Sequence, residues 1–536
     1  MMKNRLSLAL LLVAAVASCR ESPESSFARK VDDFALVTIQ APDLSGITDN
    51  GKEVLNLYRH AADEVNAIYW EQYFGDRQAL LDRMEDPFQQ AFAEINYGPW
   101  DRTTGKSFVE EYGDRPAGAG FYPADMTVEE FEAWDHPEKN SPYTLVRRAA
   151  DGSLETVWYH DAYKAHIDRI INYLNVAAEI TDKPSVRDYL LCQAHALKTD
   201  NYYVSSLSWL DMDDSKMDLV IGPNEVTDDQ LLGIKRSYEA FILLKNQAET
   251  EELMNYVSRI SELLEDLPGD PAYKSFQPGT GSNIFSCDAL YYAGKANAGV
   301  KVITLNLPFD ADVRRDRGTR TILLQNVINA KYNTIVAPTG KRLLDAENAE
   351  QLSANAFFWN IVFREVAHGL GVKETVNGRG SVEQALGSVA TTFEELKTDA
   401  AGALLVCKLQ DHFNIHDHDY SKDGALTAFF ASLFRPECLG EASSFSMSSV
   451  IIYNYLREAG ALQRNRSGHY TLNLKTMEDA LSDLTAFVLK TQATGDREGA
   501  MAFENQYSKR CDDYIDDLAN LRSEKIPVDL RFEFKR

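Results

Sequence analysis

From Gly51 to Met84 apolar residues recur at helical spacing, as in VLNLYRHAADEVNAIYW, and predict a helix with one buried face. Farther on, in GAGFYPADMTVEEFEAW, Asp125 or Thr127 is placed to cap a helix that begins at Val128. In YTLVRRAADGSLETVWY two β-rich runs flank Asp151-Gly152, the pattern of a hairpin. Residues 162–200 return to helical periodicity. VKVITLNLP, within 287–310, reads as a strand followed by a turn at Pro308. Helices dominate again from about Ala354 to Phe434. A short hairpin is predicted near GHYTLNL, long helices run on to about Asn520, and IPVDLRFEF closes as an extended segment. Helix exceeds strand, and no repeat is visible. The chain therefore reads as α+β and mostly helical, and its 536 residues are enough for two lobes.

The beginning of the chain breaks this amphipathic pattern. MMKNRLSLALLLVAAVASC has a basic start, an apolar run and small residues before a cysteine, as a secretory signal does. Val16-Ala17-Ser18-Cys19 resembles a bacterial lipobox. That resemblance implies a signal peptide over 1–18, lipid attached to Cys19, a Ser/Glu-rich tether over 19–30, and a protein anchored to the cell envelope, periplasmic or surface-facing. No later apolar stretch is long enough to span a bilayer. Of the six cysteines, the other five (Cys192, Cys287, Cys407, Cys438 and Cys511) are widely spaced and form no CxxC pair. Buried thiols are the default reading, and a disulfide stays open. Net charge is −26 with no Lys/Arg-rich run, which argues against nucleic acid as a partner.

The chemistry gathers in FREVAHGLG. On a helix, positions 364 and 368 lie one above the other, with Glu365 beside them. HExxH uses this spacing to hold zinc on two imidazoles while the glutamate takes a proton from zinc-bound water. Here the first position is Arg364, so RExxH alone is a weak signal. TFEELKTDAAG follows, with Glu394, Glu395 and Asp399 on a second predicted helix. A carboxylate from such a helix is the usual third ligand of a catalytic zinc. His412, His416 and His418 in QDHFNIHDHD read as a solvated loop, with an adventitious metal site as the alternative.

The two motifs in this order resemble the dipeptidyl peptidase III family, in its shorter bacterial branch with HExxH spacing. INYGPWDR, GAGFYPADMT, IGPNEVTDDQLLGIKRSYEAF, YYAGKANAGVKVITLNLP and IPVDL look like family landmarks, so the resemblance runs from about Asn96 to Asp529. It implies two lobes around a wide cleft. A mixed lobe with a β-barrel-like core would occupy roughly 31–245 and 284–345 plus the C-terminal segment. A helical lobe carrying the zinc motifs would occupy roughly 246–283 and 346–505. It also implies zinc as cofactor, and release of dipeptides from peptide N-termini. By position, Glu365 matches the general base, His368 and Glu395 match zinc ligands, and Glu225 and Asn306 match groups that hold the substrate's amine.

The departures cluster at the same site. Arg364 stands for the first zinc histidine, Thr227 for a tyrosine that supports the tetrahedral intermediate, and Phe309 for a second amine-binding asparagine. A later family histidine is missing from Glu437–Ser448. Arginine stays protonated and has no lone pair to give a metal. Its guanidinium is expected to lie against Glu395 and Glu365 in the metal's place, so that the carboxylates keep a cationic partner and need not protonate. The expected function is a catalytically impaired, lipid-anchored relative that binds peptides or a protein partner. An active zinc hydrolase with an unusual ligand set is the alternative, and a purely structural surface protein is a third.

Overall fold

A computed structural model of the chain describes residues 26–40, 44–212, 215–276, 283–308, 310–413, 421–435 and 443–535. Cys19, Phe309, His416, His418, Cys438 and the start of the Glu437–Ser448 stretch lie outside these residues.

One large sheet organises the mixed lobe. Its strands are β1 (Met217–Glu225), β2 (Ser237–Lys245), β3 (Ile284–Gly294), β4 (Thr304–Leu307) and β5 (Arg320–Leu324). They lie in the order β1-β2-β3-β5-β4, with β3 and β5 parallel and the other pairs antiparallel. The sheet curves as a half-barrel. The first seven residues of β1 and of β2 are buried without alternation, so both faces are covered. Helix Asp49–Tyr73 packs on β2 and β3. Thr48 caps it by accepting from Gly51 N–H. The predicted hairpin is present as Thr144–Arg148 paired with Leu154–Trp158, and Thr127, not Asp125, caps helix Val128–Ala133.

The second lobe is helical. Its core joins helices Ala354–Ala367, Ala390–Phe413, Lys422–Ser432, Ser444–Glu458 and Leu474–Thr494. Ile284 of β3 and Leu323 of β5 enter this apolar cluster, so the sheet and the helices share packing where the lobes meet. The small hairpin near GHYTLNL forms from Leu462–Arg464 and Tyr470–Leu472.

The extended segment IPVDLRFEF ends as strand Asp529–Phe534, paired in parallel with strand Phe34–Ile39. Asp529 accepts from Lys331 Nζ at 2.9 Å, and both side chains are 1% exposed. Lys331 ends helix Gln325–Lys331, which follows β5 directly. Among the described cysteines, Cys192, Cys287 and Cys511 are free thiols, and Cys407 is buried. No described helix is long and apolar enough to cross a membrane.

Candidate active site

Helix Ala354–Ala367 begins at Ser353, whose side chain accepts from Ala356 N–H. FFWNIVF is buried on every side, which fixes the rotation of the helix and sets Arg364 and Glu365 at its last turn. His368 follows as the C-cap, still with right-handed helical backbone angles. Helix Ala390–Phe413 crosses close by. A Cβ added at Gly402 would sit 2.9 Å from both N and Cα of Arg364. Only a residue without a side chain allows that approach, and it carries Glu395 and Asp399 up to the arginine.

The Arg364 guanidinium is shared among three carboxylates. Nε donates to Asp399 Oδ1 at 2.9 Å, Nη1 to Glu365 Oε1 at 3.2 Å, and Nη2 to Glu395 Oε2. The side chain is 16% exposed, and its guanidinium carbon lies 4.9 Å from the centre of the Phe445 ring. Burial disfavours the arginine's charge, but Asp399, Glu395 and Glu365 outweigh it and hold the pKa above the ordinary arginine range. The pairing expected with Glu395 and Glu365 is present. Asp399 is a third partner that the motif reading left without a role, and it also accepts from Ser448 Oγ at 2.7 Å.

The expectation that these carboxylates need not protonate requires correction. Burial pushes Glu395 up to about 7; Arg364 pulls it down, while Asp399 pushes it up again. One monovalent cation faces three carboxylates here, whereas a zinc ion would bring two charges.

His368 belongs to a neighbouring network. Its Nδ1 lies 3.2 Å from Glu394 Oε1. Glu394 also accepts from Lys397 Nζ at 2.9 Å and from Gln492 Nε2 at 3.3 Å. Burial raises the Glu394 pKa, yet His368 and Lys397 together bring it down to about 2. Lys397 is 2% exposed and donates as well to the Leu370 carbonyl.

Zinc does not fit this arrangement. The carboxylate that would hold it, Glu395, is engaged by a permanent cation at the place of the missing histidine. Among the described residues no three His, Cys, Asp or Glu side chains are grouped for a metal. His412, read as part of a loop, is instead in the last turn of helix Ala390–Phe413 and pairs with Asp266.

The sheet contributes the other half of the site. Thr304, at the start of β4, donates from Oγ1 to Glu365 Oε1 at 3.2 Å, so Glu365 touches the strand that carries Asn306. Asn306 Oδ1 is buried and has no hydrogen-bond partner among the described residues. Glu225, at the end of β1, turns Oε1 back to accept from Val226 N–H at 2.8 Å and Thr227 N–H at 2.9 Å. The stretch expected to hold a histidine supplies Phe445 and Ser448 to the Arg364 network instead.

This fold is shared, over nearly its whole length, with a solved structure of DPP III from Caldithrix abyssi. The two superpose with a TM-score of 0.90 and 31% identity, over 95% of this chain and 99% of that one. The chain belongs to the dipeptidyl peptidase III family. The sequence profile of peptidase family M49 matches residues 138–383, a segment that holds Glu225, Asn306 and the RExxH helix. Dipeptidyl-peptidase III from Corallococcus sp. strain EGB superposes with a TM-score of 0.81 and 28% identity, over 95% of this chain and 96% of that one. A plant protein, Nudix hydrolase 3 of Arabidopsis thaliana, is 25% identical over 579 aligned residues, covering 95% of this chain and 74% of its own length. Dipeptidyl peptidase III enzymes are zinc metallopeptidases, so the arginine at the heart of this member is the feature that needs a functional explanation.

Proposed function

We propose that this chain is a peptide-binding member of the dipeptidyl peptidase III family in which Arg364 has taken over the electrostatic place of zinc, and that dipeptide release is lost or strongly impaired. The observation that carries this reading is the guanidinium held by Asp399, Glu365 and Glu395. A cation already bonded to the metal's carboxylate competes with any metal for it. Loss of a partner behind a metal ligand typically costs about 10–100-fold in affinity, and exchange of a ligand for a cation costs more. The orphaned Asn306 oxygen on β4 supports retained binding of a group that donates hydrogen bonds, such as a peptide amine.

Elemental analysis of purified protein beside Arg364→His tests the reading. No zinc in the parent and about one zinc per chain in Arg364→His is the expected pair of results. About one zinc per chain in the parent would sink the proposal. It would favour the second reading, an active dipeptidyl hydrolase with an unusual ligand set, for which His368 oriented by Glu394 beside Glu395 is the supporting observation.

The same proposal places the protein on a membrane through lipid at Cys19, with residues 1–18 removed, and is supported by the lipobox-like Val16–Cys19 and the polar tether after it. One saturated acyl chain gives only marginal binding, and stable anchoring takes more than one. Cys19→Ala is therefore expected to move the protein from the membrane pellet to the soluble fraction. Unchanged partitioning would refute the anchor.

A further inference from the structure

The five-stranded sheet ends in β1 on one side and in β4 on the other, yet both edges line one cavity. Val220, Ile221 and Asn224 reach it from β1, and Leu307 with the adjoining Pro308 from β4. The sheet therefore curls until its two edges face each other across this space. Helices Pro184–Thr199 and Tyr203–Leu210 supply the remaining walls. The pairing of β1 with β2 shifts register between Pro223 and Glu225, an irregularity of the kind that re-aims side chains at a strand end. Asn224 precedes Glu225 in the chain and Leu307 follows Asn306. The cavity thus adjoins the two residues that match amine-holding positions.

The polar groups of its helical walls are engaged elsewhere. Tyr189 Oη donates to the Leu219 carbonyl at 2.8 Å, and Gln193 Nε2 to the Ile221 carbonyl at 2.6 Å. Ser205 Oγ donates to the Tyr202 carbonyl at 3.0 Å, and Trp209 Nε1 to Asp218 Oδ1 at 2.8 Å. What remains for a ligand is mainly rings and aliphatic carbon. Among the described residues no charged side chain lines the cavity, so an ionised group entering it would be buried without a partner. Ser206 and Asn224 are half-buried and mark the mouth, whereas the other lining residues are buried. The room inside is about 50 Å³. A water needs about 10–15 Å³ on this scale, so the cavity takes a group of about four heavy atoms. A branched aliphatic side chain fits that space, and an indole does not.

We propose that this cavity is the pocket for the side chain of a bound peptide's first residue, and that the preferred ligand begins with valine or leucine. The proposal rests on the peptide-binding reading above. Glu225 and the unpartnered Asn306 oxygen take the ammonium. The first side chain branches from the carbon that bears this ammonium, and enters between Asn224 and Leu307. The two edges of the sheet thereby read the charge and the size of the same residue.

Isothermal titration calorimetry of the purified full chain tests this with tetra-alanine and with tetrapeptides that carry Val, Leu or Trp in place of one alanine. Each methylene buried is worth roughly fourfold in affinity. Val-Ala-Ala-Ala and Leu-Ala-Ala-Ala are therefore expected to bind at least roughly tenfold more tightly than tetra-alanine, and Trp-Ala-Ala-Ala no more tightly than tetra-alanine. Ala-Leu-Ala-Ala should gain nothing. Ser206→Leu, which fills the mouth and whose fold is checked by its melting curve, is expected to bring the Leu-to-Ala ratio to about one. Equal affinity for all the peptides, a gain from leucine only at the second position, tightest binding by the tryptophan peptide, or a leucine preference unchanged in Ser206→Leu overturns the pocket and leaves peptide binding standing. Absence of binding by every peptide overturns the peptide-binding reading and the pocket with it.

Discussion

Arg364→Ala is expected to cost about 3–5 kcal/mol of stability at pH 7.5, the usual penalty for removing one partner of a buried ion pair. The cost arises because Glu365, Glu395 and Asp399 stay behind without their cation. The loss should depend on pH in a definite direction. Burial already raises Glu395 to about 7 in the parent, so ionising it costs stability as pH rises from its unfolded value of about 4.5 through 7. Without the arginine that folded value climbs further, and the window of lost stability widens upward. Below about pH 5 the carboxyl is neutral in both proteins. The gap between parent and variant should therefore narrow as the pH falls from 7.5 to 5. Denaturant midpoints at the two pH values check this. A variant as stable as the parent at both would show that the guanidinium is not what holds the carboxylates together.

Lys331→Ala should be nearly as damaging. Lys331 and Asp529 are both 1% exposed and bonded at 2.9 Å. Removing the ammonium leaves the Asp529 carboxyl buried without its ion-pair partner, again about 3–5 kcal/mol. The double variant Lys331→Met with Asp529→Leu replaces both charges by apolar groups of similar size, and should recover most of the loss. Melting curves of the two variants decide the matter. Recovery would identify an orphaned charge as the cause; no recovery would mean that Asp529 has a separate role, such as the bond from Leu530 N–H to its own Oδ1.

Much of the fold was legible because its elements are locally encoded. The hairpin at Asp151-Gly152 and the helix start at Val128 announce themselves by turn and capping chemistry, although the sequence left the cap between Asp125 and Thr127. The contact of Arg364 with Glu395 was legible too, once two motifs 31 residues apart were read as one site. The rest was not, because it depends on where helices cross. Asp399 lies on the same helix as Glu395 and one turn later, the single sequence cue that it would join the site. Gly402 looks like an ordinary small residue until the Arg364 backbone is found 2.9 Å from its missing Cβ. Phe445 and Ser448 arrive from a third helix, and Thr304 from a sheet edge, with no spacing to signal them. His412 was misplaced because the HDHD that follows it suggests a loop, whereas the helix runs past His412 to Phe413.

The parallel pairing of Phe34–Ile39 with Asp529–Phe534 has a consequence for synthesis. Thr38 and Glu533 touch across a separation of 495 residues. A ribosome adding about 5–20 residues per second leaves the first strand without its partner for roughly 25–100 s. Through that interval the leading end of the chain has no completed sheet to settle into. The contact that ties Phe34–Ile39 to Asp529–Phe534 is thus a late step of folding, available only once the second strand has left the ribosome.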